Sequence, residues 1–105
     1  MSSWHNSREY RIWRVRVILR DKVCQVPGCG SKDGRSAHHM NSGSYFPDER
    51  YDVSNGVTLC KKCHMNFHNN FKRSYRTKCT QYDWANFMVL CEYLTSKNKK
   101  EGYIE

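Results

Sequence analysis

Two closely spaced pairs of cysteines constrain the fold of this chain more than any other feature of its sequence. Cys24 and Cys29 flank the residues Gln-Val-Pro-Gly, and Cys60 and Cys63 flank two lysines. Tetrahedral zinc is commonly held by four thiolates from two such short segments, and four protein ligands leave no open position for chemistry. We therefore predict a structural Zn²⁺ site, with redox-active cysteines and unpaired core cysteines as the alternatives.

The length of the chain is consistent with a metal-stabilised fold. With 105 residues, it is long enough for one domain, and small domains often compensate for a thin core with a metal. We expect a single α+β domain over residues 1–105, with its core at about residues 20–72.

The sequence favours a cytosolic protein that does not enter a membrane. It has no apolar run long enough to span a bilayer, and its first residues contain no hydrophobic signal segment. Thiols stay reduced in the cytosol, where paired cysteines indicate metal ligands rather than disulfides. We expect a cytoplasmic location, which would be the host cytoplasm if the chain is phage-encoded.

Hydrophobic periodicity predicts the regular elements around the cysteines. Residues at about 7–22 fit a helical face through Tyr10, Trp13 and Val17, although alternate residues there also fit a strand. We favour the helix, because the segment has no turn residues and is long for a strand. Short strands are expected at about 35–40 and 56–59, a helix at about 61–73, and a second flanking helix at about 81–95 before a loose polar tail.

The charge of the chain favours a polyanionic partner. Lys and Arg number 18 against 10 Asp and Glu, which gives a net charge of +8. Basic side chains release counterions from phosphate backbones, but a merely soluble basic protein would have the same composition. The candidates for contacts with double-stranded DNA are Arg14, Arg16, Lys61, Lys62, Lys72 and Arg73.

Four of the five histidines lie close to the cysteine pairs along the chain. His38 and His39 follow the first pair, and His64 and His68 occupy positions i and i+4 of the predicted helix, where they share a face. Asn55 lies between the two histidine groups. A zinc-binding module with incidental histidines is the alternative to a catalytic site.

This pattern resembles the HNH endonuclease family, whose core is the ββα-metal or His-Me finger fold. The resemblance covers residues 24–68, and the motifs that carry it occur in order at family-like spacing: Ala37-His38-His39-Met40, Asn55-Gly56-Val57-Thr58-Leu59-Cys60, Cys63-His64 and His68. It implies a small zinc-stabilised ββα-metal core with flanking N- and C-terminal helices.

The resemblance also implies roles for individual residues. His39 matches the general base that activates water, and Asn55 matches the central asparagine that braces the loop and orients the base. His38 and His64 match ligands of a catalytic divalent cation, with Mg²⁺ expected and Mn²⁺ or other ions as alternatives. His68 matches a third ligand that is found in the nuclease-colicin branch.

The function that follows is metal-dependent hydrolysis of DNA phosphodiester bonds with a histidine base. A neutral imidazole can take a proton from water, and a divalent ion can offset charge on the phosphate and on the departing oxygen. The compact chain, with Trp13-Arg14 and Arg20-Asp21, looks most like the stand-alone, intron-encoded or homing type of phage enzyme. The alternative is a non-catalytic, zinc-dependent nucleic-acid-binding module. Both a monomer and a homodimer are compatible with the sequence.

The histidine pair presents a geometric difficulty. Adjacent residues of a regular strand point to opposite faces. His38 and His39 can therefore serve one site only if the strand is distorted, or if the phosphate lies between their two sides.

Overall fold

The computed structural model of the chain describes residues 4–71 and 79–104, with side chains described as far as residue 69 and from 79 to 94. Within these ranges the strands and longer helices are α1 (Arg8–Asp21), β1 (Ser36–His39), β2 (Gly56–Leu59), α2 (Lys61–Phe71) and α3 (Gln81–Ile104). The order β1, β2, α2, with α1 and α3 on its flanks, confirms the predicted fold class.

The N-terminal segment forms the helix α1 rather than a strand. Ser7 caps the helix by accepting a hydrogen bond from the backbone N–H of Tyr10 at 3.1 Å. Trp13 and Val17 are 1% and 0% exposed, whereas Leu19 is 68% exposed. An alternating strand would have placed Leu19 on the buried face with the other two, so the helical period is correct.

The two strands form a regular antiparallel pair in which His39 lies opposite Gly56. Their side chains alternate between the two faces of the sheet, as strand geometry requires. Ala37 packs in a buried cluster with residues of α1. The His38 ring contacts Phe67 of α2, with 4.6 Å between ring centroids. The sheet is therefore covered by α1 on one face and by α2 on the other.

The larger buried cluster joins β2, the cysteine segments, α2 and α3. Its apolar and thiol side chains come from regions far apart in the sequence, so the sheet and the last two helices share one core. The members of this cluster are Cys24, Val26, Val57, Leu59, Cys60, Cys63, Phe67, Cys79, Trp84 and Phe87.

A glycine at the start of β2 permits α1 to pack closely on the sheet. A Cβ atom added at Gly56 would overlap Cγ2 of Val17 and would lie 2.8 Å from Cζ2 of Trp13. Only a residue without a side chain leaves room for this approach. The close packing places the Trp13 ring beside β1, which carries His38 and His39.

Two sets of polar contacts fix the beginning of α3. The carboxylate of Asp83 accepts hydrogen bonds from the backbone N–H and the hydroxyl of Thr80, at 2.9 and 3.2 Å. Cys79 donates its N–H to Ser42 Oγ at 3.0 Å, and the N–H of Ser42 donates to the Cys79 carbonyl at 2.9 Å. These contacts attach α3 to the loop that follows β1.

The predicted end of the C-terminal helix was wrong. We expected a helix at about 81–95 and a loose tail, but α3 continues to Ile104. The tail contains no proline, and the lysine, asparagine and glutamate residues in it can continue backbone hydrogen bonding without burying an apolar face.

Among the described residues, no helix has the length and apolar character needed to cross a membrane.

Candidate active site and metal centres

The four cysteines of the two pairs meet in one cluster. The sulfur atoms of Cys24, Cys29, Cys60 and Cys63 all lie within 4.8 Å of one another, and Cys29 Sγ lies 3.7 Å from both Cys60 Sγ and Cys63 Sγ. A zinc–sulfur bond of about 2.3 Å in a tetrahedron separates neighbouring sulfurs by about 3.8 Å. The cluster therefore has the donor atoms and the dimensions of a four-thiolate zinc site.

The local electrostatics also favour a cation among these sulfurs. Burial raises the pKa of the Cys24 and Cys63 thiols, and the surrounding thiols raise that of Cys63 further. Burial opposes ionisation of Cys60 as well, but the backbone amide of Cys63 and the neighbouring thiols lower its pKa to about 7. Four neighbouring thiolates, three of them buried, need a positive charge between them, which a bound zinc ion would supply.

Three histidines form a second cluster on the α2 side of the sheet. One ring nitrogen from each of His38, His64 and His68 lies within 4.8 Å of the others. The Nε2 atoms of His64 and His68 are 2.8 Å apart, close to the separation of about 3 Å between adjacent ligands of one ion. Ser36 Oγ pairs with His64 Nδ1 at 3.2 Å, and this contact turns His64 Nε2 towards His68.

His39 lies on the opposite side of the sheet, which α1 covers, and its imidazole makes two contacts there. Its imidazole stacks on the Trp13 indole with 3.9 Å between centroids and an interplanar angle of 7°. Its Nε2 atom lies 2.8 Å from the carbonyl oxygen of Arg50. Because a carbonyl oxygen only accepts, Nε2 carries the hydrogen, and the lone pair of the neutral ring is on Nδ1.

The two halves of the histidine pair nevertheless face one cavity. The pairing of β1 with β2 is regular, so the strand is not distorted at these positions. His38 and His39 both line a cavity of about 510 Å³, together with His64, His68 and the fifth histidine, His5. The sequence left open a distorted strand or a site between the two side chains. The structure has a regular strand, and the cavity lies between the side chains of His38 and His39.

Asn55 is buried at the end of the loop that joins β1 to β2, and its side chain binds backbone groups at the start and in the middle of that loop. Its Oδ1 accepts the backbone N–H of Asn41 at 2.8 Å, and its Nδ2 donates to the carbonyls of Asn41 and Glu49 at 2.9 and 3.3 Å. Arg50, whose carbonyl binds His39, follows Glu49 directly. The asparagine therefore acts on His39 through the backbone of this loop.

Asn41 is a structural residue of the site that the sequence did not reveal. Its side-chain oxygen accepts the backbone N–H of Gln81 at 2.8 Å, and its side-chain nitrogen lies 3.3 Å from a carboxylate oxygen of Glu49. The residue thus connects the active-site loop to the start of α3. Only the run of polar residues after His39 hinted at such a role.

The structure describes four of the six basic residues predicted to contact DNA. Arg14, Arg16, Lys61 and Lys62 are exposed, and Arg14 Nη2 lies 3.5 Å from the carbonyl oxygen of Arg35. Lys72 and Arg73 lie outside the described residues. The four exposed side chains are divided between α1 and the start of α2, on either side of the sheet.

Comparison with protein families finds a match within the chain. The model of the HNH endonuclease family matches residues 24–70, a segment that contains both strands, the four clustered cysteines and the three clustered histidines. Searches of curated proteins and of solved structures gave no match. Residues 24–70 of this chain therefore match an HNH endonuclease domain.

Proposed function

We propose that the protein is a divalent-metal-dependent DNA endonuclease in which His39 is the general base. The observation that carries the proposal is the shared cavity, where an imidazole of fixed tautomer faces a cluster of three more imidazoles. The match of residues 24–70 to a nuclease family and the net positive charge of the chain support the choice of DNA as the substrate.

His39 performs the proton transfer. Its Nε2–H is held by the Arg50 carbonyl and its ring by the Trp13 indole, so Nδ1 is the atom that takes a proton from the attacking water. As the water oxygen bonds to phosphorus, the bond from phosphorus to the 3′ oxygen breaks, and that oxygen gains a proton from solvent. The products are a 5′ phosphate and a 3′ hydroxyl.

His38, His64 and His68 would hold the divalent cation. A bound cation would supply positive charge to offset the developing charge on the phosphate and on the leaving oxygen. One ring nitrogen of each imidazole lies within 4.8 Å of the others, and among the described residues no carboxylate joins this cluster. Imidazole ligands suit zinc, nickel, copper and iron, whereas magnesium prefers oxygen ligands. We therefore favour a transition metal over the Mg²⁺ expected from the family resemblance.

The four-thiolate site has an architectural role in this proposal. Cys60 lies between β2 and α2, and Cys63 lies in the first turn of α2, one residue before His64. Zinc at this cluster would fix the angle between the sheet and the helix that carries His64 and His68. A zinc-binding module without catalysis would need the same cluster, but it would not need the base on the far side of the sheet.

The test is endonuclease activity of the zinc-loaded parent protein on supercoiled plasmid and on phage genomic DNA. We expect nicking when Mn²⁺, Ni²⁺, Co²⁺ or Mg²⁺ is added, no nicking in EDTA, and 5′-phosphorylated ends. His64→Ala should abolish nicking, and Tyr82→Ala, a change at an exposed residue of α3, is the matched control. DNA binding without cleavage under every metal condition would instead establish the non-catalytic module.

A further inference from the structure

The N-terminal segment reaches the active-site cavity from outside the part of the chain that matches the family. Trp4, His5 and Tyr10 line the same cavity as His38 and His39, whereas the family match begins at residue 24. The edge of the Trp4 ring meets the His39 ring, with 5.3 Å between centroids and an interplanar angle of 85°. One wall of the cavity is therefore built by residues that precede the segment matched by the family model.

Trp4 is held firmly in this position by the start of α1. The hydroxyl of Ser7 donates to the Trp4 carbonyl at 2.7 Å and lies 3.1 Å from the Tyr51 hydroxyl. The N–H of Ser7 also donates to the Trp4 carbonyl, at 3.1 Å. The cap of the helix thus fixes the backbone of Trp4 as well as the first turn of α1.

The Trp4 indole packs on the loop that orients His39. The guanidinium carbon of Arg50 lies 4.8 Å from the centre of the Trp4 ring, a cation–π distance, and Arg50 Nε donates to the Gly43 carbonyl at 2.9 Å. A Cβ atom at Gly43 would lie 2.6 Å from Trp4 Cη2. The indole therefore fills the space above Gly43 and covers the side chain of Arg50.

The same residue, Arg50, supplies the carbonyl oxygen that binds His39 Nε2. We propose that Trp4 is a positioning residue, which clamps Arg50 and Gly43 so that the Arg50 carbonyl holds the His39 base in its productive orientation. This inference rests on the proposed function. Its consequence is that the N-terminal segment is needed for turnover, although it lies outside the family domain.

The direct test compares Trp4→Ala with the parent and with Tyr82→Ala, in which an exposed aromatic residue is truncated. Loosening a catalytic group costs about 10- to 100-fold in rate, so kcat should fall by about that factor while KM stays at the parental value. Trp4→Phe keeps an aromatic face for Arg50 and should recover most of the lost kcat. Zinc content and the unfolding midpoint, measured in parallel, should match the parent.

A second variant probes the same contact from the other side. Gly43→Ala places a methyl group against the indole and should lower kcat in the parental background. In the Trp4→Ala background the two indole contacts, at 2.6 and 2.8 Å, are gone, and the nearest remaining atom to that methyl group is His39 Cε1 at 3.3 Å. The double variant should therefore be faster than the product of the two single losses predicts. Strictly multiplicative losses would contradict the clamp.

The outcomes separate this inference from the function on which it rests. If the parent shows no metal-dependent cleavage, the proposed function fails. If the parent cleaves and Trp4→Ala has the parental kcat, the positioning role of Trp4 is overturned and the function stands. If Trp4→Ala loses activity only in proportion to a loss of folded, zinc-loaded protein, Trp4 is merely structural and the inference is overturned too.

Discussion

At the scale of single residues, Asn55 has the contacts on which the shape of the active-site loop depends most. Its amide binds three backbone groups on Asn41 and Glu49 and is 6% exposed. Removing one partner of a buried hydrogen bond costs about 1–3 kcal/mol, because the other partner loses its contact with water as well. The loop that carries the Arg50 carbonyl should therefore be sensitive to this side chain.

We predict that Asn55→Ala lowers the free energy of unfolding by about 1–3 kcal/mol and also lowers kcat, because the Arg50 carbonyl loses its support. Urea unfolding and single-turnover cleavage measure the two effects. The exposed Asn86→Ala serves as the control. A variant with parental activity would show that Asn55 does not help to orient His39.

Asp21 should make the stability of the fold depend on pH. Burial opposes ionisation of its carboxyl, but hydrogen bonds from Arg20 and from the Thr58 backbone outweigh it and hold the pKa below its ordinary value. Such a carboxylate stabilises the fold above its unfolded pKa, and this contribution disappears as the pH falls through the lowered folded pKa.

Asp21→Ala should therefore lower the free energy of unfolding by about 1–3 kcal/mol at neutral pH. The difference from the parent should stay constant down to about pH 5 and narrow below about pH 4, near the ordinary carboxyl pKa. Urea titrations with added zinc at each pH measure it, with Asp33→Ala as the exposed control. A difference that widens towards acid pH would contradict the assignment.

The sequence predicted which side chains cluster better than it predicted the contacts that hold them in place. Cysteine and histidine are the usual metal-binding residue types, and their spacing in this chain is distinctive. The sequence alone therefore indicated which of them would cluster. The supports of His39 were not, because the Trp13 stack depends on how α1 packs against β1. The Arg50 contact is made by a backbone carbonyl, which every residue possesses.

At the scale of elements, the packing of α1 on β2 determines the position of the His39 ring. Gly56 lies opposite His39 in the sheet and touches Val17 and Trp13 of α1. The helix brings the indole on which His39 stacks. A change in the distance between α1 and β2 therefore displaces the His39 ring directly.

Gly56→Ala is predicted to destabilise the protein by about 1–3 kcal/mol, the usual cost of an added methyl group in a packed interior. Thermal unfolding of zinc-loaded protein is the measurement. Gly30→Ala is a matched control for space, since no atom lies within 4 Å of a Cβ atom there, although its φ of +66° strains any side chain. Equal stability of parent and Gly56→Ala would mean that α1 can withdraw freely from the sheet.

The sequence located the regular elements well. The predicted strands and helices all appear, with α1 following its helical period, and β2 has the predicted bounds Gly56–Leu59. The end of α3 could not be located in this way, because its last turns have no apolar repeat, and their backbone hydrogen bonds do not depend on one.

At the scale of the whole molecule, we expect the proposed histidine metal site to depend on the cysteine cluster, but not the reverse. The thiolate cluster connects the Cys24 segment to β2 and α2, and α2 carries two of the three clustered histidines. Loss of structural zinc should disperse the histidine cluster, whereas loss of the catalytic ion should leave the fold intact.

We predict that Cys60→Ser or exhaustive chelation of zinc lowers the unfolding midpoint steeply and abolishes cleavage, since metal binding at such a site contributes directly to folding. Circular dichroism with zinc analysis measures the effect. Cys91→Ser, a change outside the four-thiol cluster, should retain zinc and activity. A zinc-free protein with the parental melting curve would exclude a structural role for the cluster.

The most direct test of the proposed mechanism is the single-turnover rate of DNA nicking by His39→Ala, at zinc content and DNA affinity matched to the parent. General base catalysis contributes about 10²- to 10⁴-fold, so the rate should fall by that order while DNA binding persists. A His39→Ala protein that nicks DNA at the parental rate would contradict the assignment of His39 as the base.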